Sequence, residues 1–226
     1  MAEKKKKTSR KKQIHTDPQF ERTRENMAEF GRAGRAVKML KRAFHPVFTN
    51  KSDRYMAGRL VQRMARVLRT DGVSDRGERT VGKGNLMLLE NFVFNKQRSL
   101  DEIFNPPYTI NFERETGQLT LVIHSFVPKQ RILYAPKAAT YFMLTVAAAA
   151  IDFDAEHYES DYHITDELVL GSSPLKDIEV RLALPPAMAA PVLTLLAIEF
   201  LEPAGRRFSL PDKQFTAMTI VKVFPG

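Results

Sequence analysis

The chain has 226 residues, of which 43% are hydrophobic, so it can bury a sizeable core and wholesale disorder is excluded. Cysteine is absent, which excludes disulfide bonds, thiolate metal sites and cysteine nucleophiles. The net charge of +9 is unevenly distributed: residues 1–84 hold 23 Lys/Arg against 9 Asp/Glu, whereas residues 85–226 hold 12 against 17. This segregation predicts a polyanionic partner for the first part only.

The amino terminus is basic, but no apolar segment follows it, so we expect no secretory signal. The longest apolar run, residues 141–151, is too short to cross a bilayer, which needs about 20 residues. Both features favour a cytoplasmic protein without a membrane segment. Within residues 1–18, the dense basic clusters at 4–7 and 10–12 repel one another, which predicts a disordered tail.

Residues 19–84 are predicted to form a basic helical hairpin followed by a loop. The first helix spans residues 20–44 and the second about 53–69, each with an apolar stripe opposite a basic face. The stripe of the first helix comprises Phe30, Ala33, Val37, Leu40 and Phe44. We expect this stripe to pack on the second helix or on a sheet. A membrane-surface helix is disfavoured because Gly31 and Gly34 interrupt the pattern and tryptophan is absent.

Residues 85–226 change to the period of strands, which predicts a mainly antiparallel, β-sandwich-like domain and an α+β chain. The predicted strands are 86–94, 108–114, 119–126, 141–153, 178–184, 192–201 and 215–224. Gly117 supplies the positive φ angle that a hairpin between the second and third of them requires. A mixed arrangement is the alternative, because the Ala-rich stretch 186–196 also suits the beginning of a helix.

A candidate cation site lies in the acidic stretch around residues 152–163. On a strand, His157, Glu159, Asp161 and His163 share one face, because side chains repeat every two residues. However, an extended segment of this length covers roughly 20 Å, too far for all four to meet at one ion. An exposed acidic edge or loop is therefore favoured, and we predict no metal and no cofactor.

Catalytic signatures are missing from the sequence. There is no nucleophile elbow and no Walker loop, and the glycines near residues 31–34 and 82–84 have the wrong spacing for one. His124 falls in a strand face that otherwise looks buried, where a hydrogen-bonded sheet histidine is favoured over a general base. We therefore expect a protein that is not an enzyme.

The leading hypothesis is a binding protein whose N-terminal basic region contacts nucleic-acid phosphates, of DNA or RNA, without reading sequence. The predicted contacts are Lys4, Lys5, Lys6, Lys7, Arg10, Lys11, Lys12, Arg32, Arg35, Lys38, Arg42, Arg59, Arg63, Arg66 and Arg69. The alternative is an assembly protein, a homo-oligomer that associates through its β domain while the basic arm docks on a neighbouring subunit.

Overall fold

The computed structural model describes residues 10–48 (side chains from residue 13), 52–201 and 216–226. Its α-helices are α1 (Arg10–Thr16), α2 (Glu21–Ala43), α3 (Met56–Arg69), α4 (Leu100–Ile103) and α5 (Pro128–Arg131). Its 3₁₀ helices are Pro18–Phe20, His45–Val47 and Leu86–Leu89. Its strands are β1 (Tyr108–Glu113), β2 (Gln118–Ile123), β3 (Tyr141–Asp152), β4 (His157–Ile164), β5 (Leu168–Val169), β6 (Ile178–Ala183), β7 (Val192–Leu201) and β8 (Ala217–Phe224).

These elements form an α+β fold with antiparallel strands, which confirms the predicted class. Within the described residues, the larger sheet has the order β4-β3-β7-β8, and β5 also pairs with β3. The smaller sheet has the order β1-β2-β6. One hydrophobic cluster joins the larger sheet to α2 and α3, and a second joins it to the smaller sheet. The larger sheet is therefore the middle of three layers.

Strands β3 and β7 form the centre of the molecule and are buried on both faces along almost their whole length. Their continuous apolar sequences are typical of strands that are covered on both sides. In β3, Ala147, Ala149 and Ile151 belong to the helix-side cluster, while Ala148 and Ala150 belong to the cluster under the smaller sheet. Since alanine is small, this run lets both outer layers approach the middle sheet closely.

The smaller sheet has the alternating pattern expected of strands with one solvent face. The hairpin between β1 and β2 is confirmed, with Gly117 at a φ of +74°. A Cβ atom on Gly117 would lie only 2.0 Å from the carbonyl oxygen of Leu184, so glycine is required there. The helical alternative for residues 186–196 is wrong, because the chain enters β7 at Val192.

The strand predicted at residues 86–94 is also wrong. Its first half is the 3₁₀ helix Leu86–Leu89, which begins where the Asn85 side chain accepts a hydrogen bond from the Met87 N–H at 3.1 Å. Its second half runs along β8, with hydrogen bonds of 2.8 Å from Asn91 N–H to the Ile220 carbonyl and 2.9 Å from Phe94 N–H to the Met218 carbonyl. The alternation in this segment reflects Phe92 and Phe94 entering the core beside α3.

The apolar faces of α2 and α3 pack on each other and on the larger sheet, as their periodicity predicts. Ala33, Val37 and Leu40 are all buried. Phe30, which the same pattern assigns to the buried face, instead points outward with 65% of its surface exposed. The inner position at this level is occupied by Glu29, whose carboxylate accepts the Gly77 N–H at 3.0 Å.

The loop between α3 and Leu86–Leu89 is organised by Asp71, whose side chain is buried. Its carboxylate accepts hydrogen bonds from the N–H groups of Val73, Ser74 and Thr80 at 2.9, 3.0 and 3.0 Å. Burial alone would raise the pKa of Asp71, but these backbone donors outweigh it and hold the pKa well below its usual range. The loop is thus tied down around a carboxylate that stays ionised.

At the amino terminus, residues 10–16 form helix α1 inside the segment for which the sequence predicts disorder. The Arg24 guanidinium donates to the carbonyls of Ile14 and Asp17 at 2.8 and 2.9 Å, so this part is attached to α2. The cluster Lys4 to Lys7 and the tail up to residue 9 lie outside the described residues. In the part of the chain that the structure describes, no helix combines the length and apolar character needed to cross a membrane.

Candidate nucleic-acid interface

The second half of α2 and the whole of α3 form a densely basic helical layer. Residues 30–44 and 56–69 together hold nine Lys/Arg and no Asp/Glu. The nine are Arg32, Arg35, Lys38, Lys41, Arg42, Arg59, Arg63, Arg66 and Arg69. The structure divides them into cations that hold the fold together and cations that face solvent.

Three of the arginines that the sequence assigns to phosphate contacts are bound to the protein itself. Arg32 donates to the Gly77 carbonyl, and Arg63 donates to the Leu88 carbonyl at 2.7 Å. Arg59 makes the most extensive set of contacts. Its guanidinium donates to the carbonyls of residues 93 and 94 at 2.7 and 3.2 Å and pairs with Asp53 at 2.5 Å. Each contact holds part of the guanidinium on the protein itself, so these three positions contribute to the fold.

Asp53, the partner of Arg59, is itself constrained by the start of α3. Burial opposes ionisation of this carboxyl, but the N–H groups of Lys96 and Tyr55 together with the Arg59 guanidinium lower its pKa from the usual value. The Arg59 guanidinium also lies 5.4 Å from the centroid of the Phe92 ring. Arg59 therefore joins α3 to the segment that borders β8.

On one flank of α2, a hollow of about 420 Å³ combines charges of both signs. Arg35 pairs with Glu156 at 3.7 Å, and both side chains are exposed. The Thr80 hydroxyl donates to Asp154 at 3.1 Å across the same hollow. Because carboxylates lie beside these cations, this flank is poorly suited to a polyanion.

The other flank of α2 carries a groove of about 430 Å³ whose charged lining residues are all basic. It is lined by Gly34, Val37, Lys38, Lys41, Arg42, His45, Phe48 and Ala57. Lys38, Lys41 and Arg42 are exposed and, at spacings of three and four residues, are neighbours on the helix surface. No acidic side chain of the described residues forms an ion pair with any of the three. We call this set, Lys38, Lys41 and Arg42, the free cation cluster.

Lys41 and His45 belong to the groove although the sequence reading did not select them. Helical spacing is enough to select Lys41, because it lies three residues after Lys38 and adjoins Arg42. Arg66 and Arg69 are exposed on α3 as predicted, without an ion pair to any described residue. The side chains of Arg10, Lys11 and Lys12 lie outside the described residues.

The other candidates from the sequence are the acidic stretch and His124. The stretch with His157 and His163 forms β4, an edge strand, in which His157 pairs with Glu159 at 3.2 Å and Asp161 accepts the Ala183 N–H at 2.8 Å. Among the described residues no group of three or more such ligands is placed to hold a metal ion. His124 is exposed beyond the end of β2 and not buried in a sheet face, so the prediction of a buried environment is wrong.

Comparison with known proteins adds no family to this description. No protein-family model matches the chain, and no curated protein shows a significant match to its sequence.

Proposed function

We propose that this is a non-catalytic binding protein whose basic helical layer contacts the phosphate backbone of nucleic acid. The free cation cluster on α2 is the observation that carries the proposal, and Arg66 and Arg69 extend it onto α3. The basic residues at 4–7 and 10–12 belong to the same proposal on the strength of the sequence. A cytoplasmic location also belongs to it, because nucleic acid is available there.

Charge and geometry support this proposal together. Lysine and arginine side chains without an ion-pair partner can neutralise phosphates and release the counterions condensed on them, which drives binding without reading sequence. Lys38, Lys41 and Arg42 meet that condition, because they are exposed and their helix segment holds no carboxylate. Arg59 does not meet it, because it pairs with Asp53, and Arg32 and Arg63 are less available because each is partly held by a backbone carbonyl.

The test is a comparison of two triple variants that remove the same charge. Lys38→Gln/Lys41→Gln/Arg42→Gln neutralises the free cation cluster, and glutamine preserves helix propensity. Lys129→Gln/Arg131→Gln/Lys137→Gln is the control, since these residues are also exposed, also two lysines and one arginine, and lie around α5. Both proteins are titrated with a labelled DNA duplex and a labelled single-stranded RNA at about 50 mM salt, where electrostatic binding is strong.

The cluster variant should bind about 100-fold or more weakly, and the control should bind like the wild type within about threefold. Equal loss in both variants would mean that only net charge matters and would contradict the site. No binding by the wild type to either ligand would overturn the proposed function. Light scattering of the same samples at high salt tests self-association, because apolar contacts persist there while phosphate contacts do not.

A further inference from the structure

The outer face of α2 carries an apolar patch about two turns before the free cation cluster. Phe30 is 65% exposed, and Met27, one turn earlier, is 55% exposed. Together with Thr23, Asn26 and Gly31 they line a hollow of about 370 Å³. An exposed aromatic ring on a helix whose inner face is already buried contributes little to folding and is accessible to a ligand.

Two glycines separate the ring from the cations, and the fold requires neither. A Cβ atom added to Gly34 would meet nothing within 4 Å, and one added to Gly31 would meet only the flexible Arg35 guanidinium at 3.9 Å. Each glycine inside a helix costs about 1 kcal/mol relative to alanine. Since no positive φ angle and no close packing compensates for this cost, the glycines flatten the surface without benefit to the isolated protein.

Ring, glycine and cations lie on one line. Phe30, Gly34, Lys38 and Lys41 follow one another at spacings of four, four and three residues, which places them along one face of α2. At a rise of about 1.5 Å per residue the line is about 16 Å long. The aromatic ring of Phe30 lies at its first end, Gly34 in the middle has no side chain, and the lysines lie at its other end.

From this arrangement, and resting on the proposed function, we infer that the outer face of α2 binds single-stranded nucleic acid, with a base stacked on Phe30 and phosphates on the free cation cluster. Bases of an unpaired strand expose faces that stack on aromatic side chains, whereas in a duplex those faces are already stacked on each other. The flat surface at Gly31 and Gly34 lets the sugar-phosphate chain pass close to the helix backbone. A duplex uses the cations but gains nothing from the ring.

The experiment measures three probes with wild type and Phe30→Ala: oligothymidine, an abasic strand of equal length, and a duplex. The abasic strand offers the same phosphates without bases. Phe30→Ala should weaken oligothymidine binding by about 5- to 140-fold, the range measured for one stacked base, and should leave the other two probes within about twofold. Tyr162→Ala is the control, because Tyr162 is 47% exposed on the acidic edge strand and should not change any probe.

Each outcome separates this inference from the proposed function. If Phe30→Ala leaves oligothymidine binding unchanged while the cluster variant still weakens it, the stacking site is overturned and phosphate binding stands. If the wild type binds no probe, both are overturned. Two further results would overturn the inference by identifying another binding partner for this face of α2. One is that Phe30→Ala loses binding to phosphatidylserine vesicles while its binding to oligothymidine is unchanged. The other is that Phe30→Ala converts a wild-type dimer to a monomer. Unchanged thermal melting confirms that Phe30→Ala is folded.

Discussion

The basic residues of the helical layer divide into two groups that the sequence does not distinguish. Arg32, Arg59 and Arg63 reach backbone carbonyls in the segments that follow α3, whereas Lys38, Lys41 and Arg42 are exposed and make no ion pair with the residues that the structure describes. The first group contributes to stability by satisfying carbonyl acceptors at the edge of the core. The second group contributes a positive electrostatic potential at the protein surface. A count of positive charge therefore overstates the area available to a polyanion.

The largest effect on stability is expected from Arg59→Ala. This change removes a donor from the carbonyls of Val93 and Phe94 and the charged partner of Asp53, so unfolding should become about 2–3 kcal/mol easier. Urea denaturation checks the value. Arg69→Ala, which removes an exposed charge with no ion pair to a described residue, should stay within about 0.5 kcal/mol. Similar losses in both would mean that the two groups do not differ.

A smaller loss is expected from Asp71→Asn, about 1–2 kcal/mol, because the amide has one acceptor oxygen and cannot accept from Val73 and Ser74 on one side and from Thr80 on the other. The lowered pKa of Asp71 also determines how the stability of the fold varies with pH. A depressed folded pKa gives stability that is present above about pH 4, the unfolded carboxyl value, and is lost as the pH falls further. Denaturation between neutral pH and pH 3 should therefore show a weaker acid dependence in the variant. An unchanged pH profile would contradict the assignment.

Gly34→Ala should change stability and binding in opposite directions. The added methyl group meets nothing within 4 Å, so the helix should gain up to about 1 kcal/mol, while single-strand binding should weaken as the surface loses its flatness. Gly58→Ala, in an equally open position on α3, should stabilise without affecting binding. Thermal melting and titration with oligothymidine measure the two effects. Tighter binding by Gly34→Ala would contradict close approach of the strand.

The smallest effect concerns the mixed flank of α2. The Arg35–Glu156 pair is exposed on both sides at 3.7 Å, so its coupling should be below about 0.5 kcal/mol. A double-mutant cycle with Arg35→Gln and Glu156→Gln in urea measures it. Glu156→Gln should also leave nucleic-acid affinity nearly unchanged. A marked gain in affinity would show that this flank belongs to the interface.

Much of the fold could be predicted because local signals and tertiary packing agree. The two helices, the hairpin at Gly117 and the buried strands β3 and β7 follow from periodicity and turn chemistry. The prediction of a strand at residues 86–94 is wrong because alternation alone does not distinguish a strand from a segment that places Phe92 and Phe94 in a core. Such a distinction depends on β8, more than 120 residues later in the chain.

The candidate site was predictable only as a charged region. Helical periodicity identifies the outer faces, but it does not show that the carbonyl of residue 77 reaches Arg32 or that Glu29 displaces Phe30 from the inner face. Both contacts join positions more than 40 residues apart. Phe30 was assigned to the core for this reason, and the aromatic part of the surface emerged only from the structure.

The salt dependence of single-strand binding tests the central claim most directly. The slope of the logarithm of affinity against the logarithm of salt concentration counts phosphate contacts, at about 0.7 per contact for single strands. Neutralising Lys38, Lys41 and Arg42 should reduce the slope by about 2, while neutralising Lys129, Arg131 and Lys137 should leave it unchanged. Equal slopes for the wild type and the cluster variant would contradict the assignment of phosphate contacts to the free cation cluster.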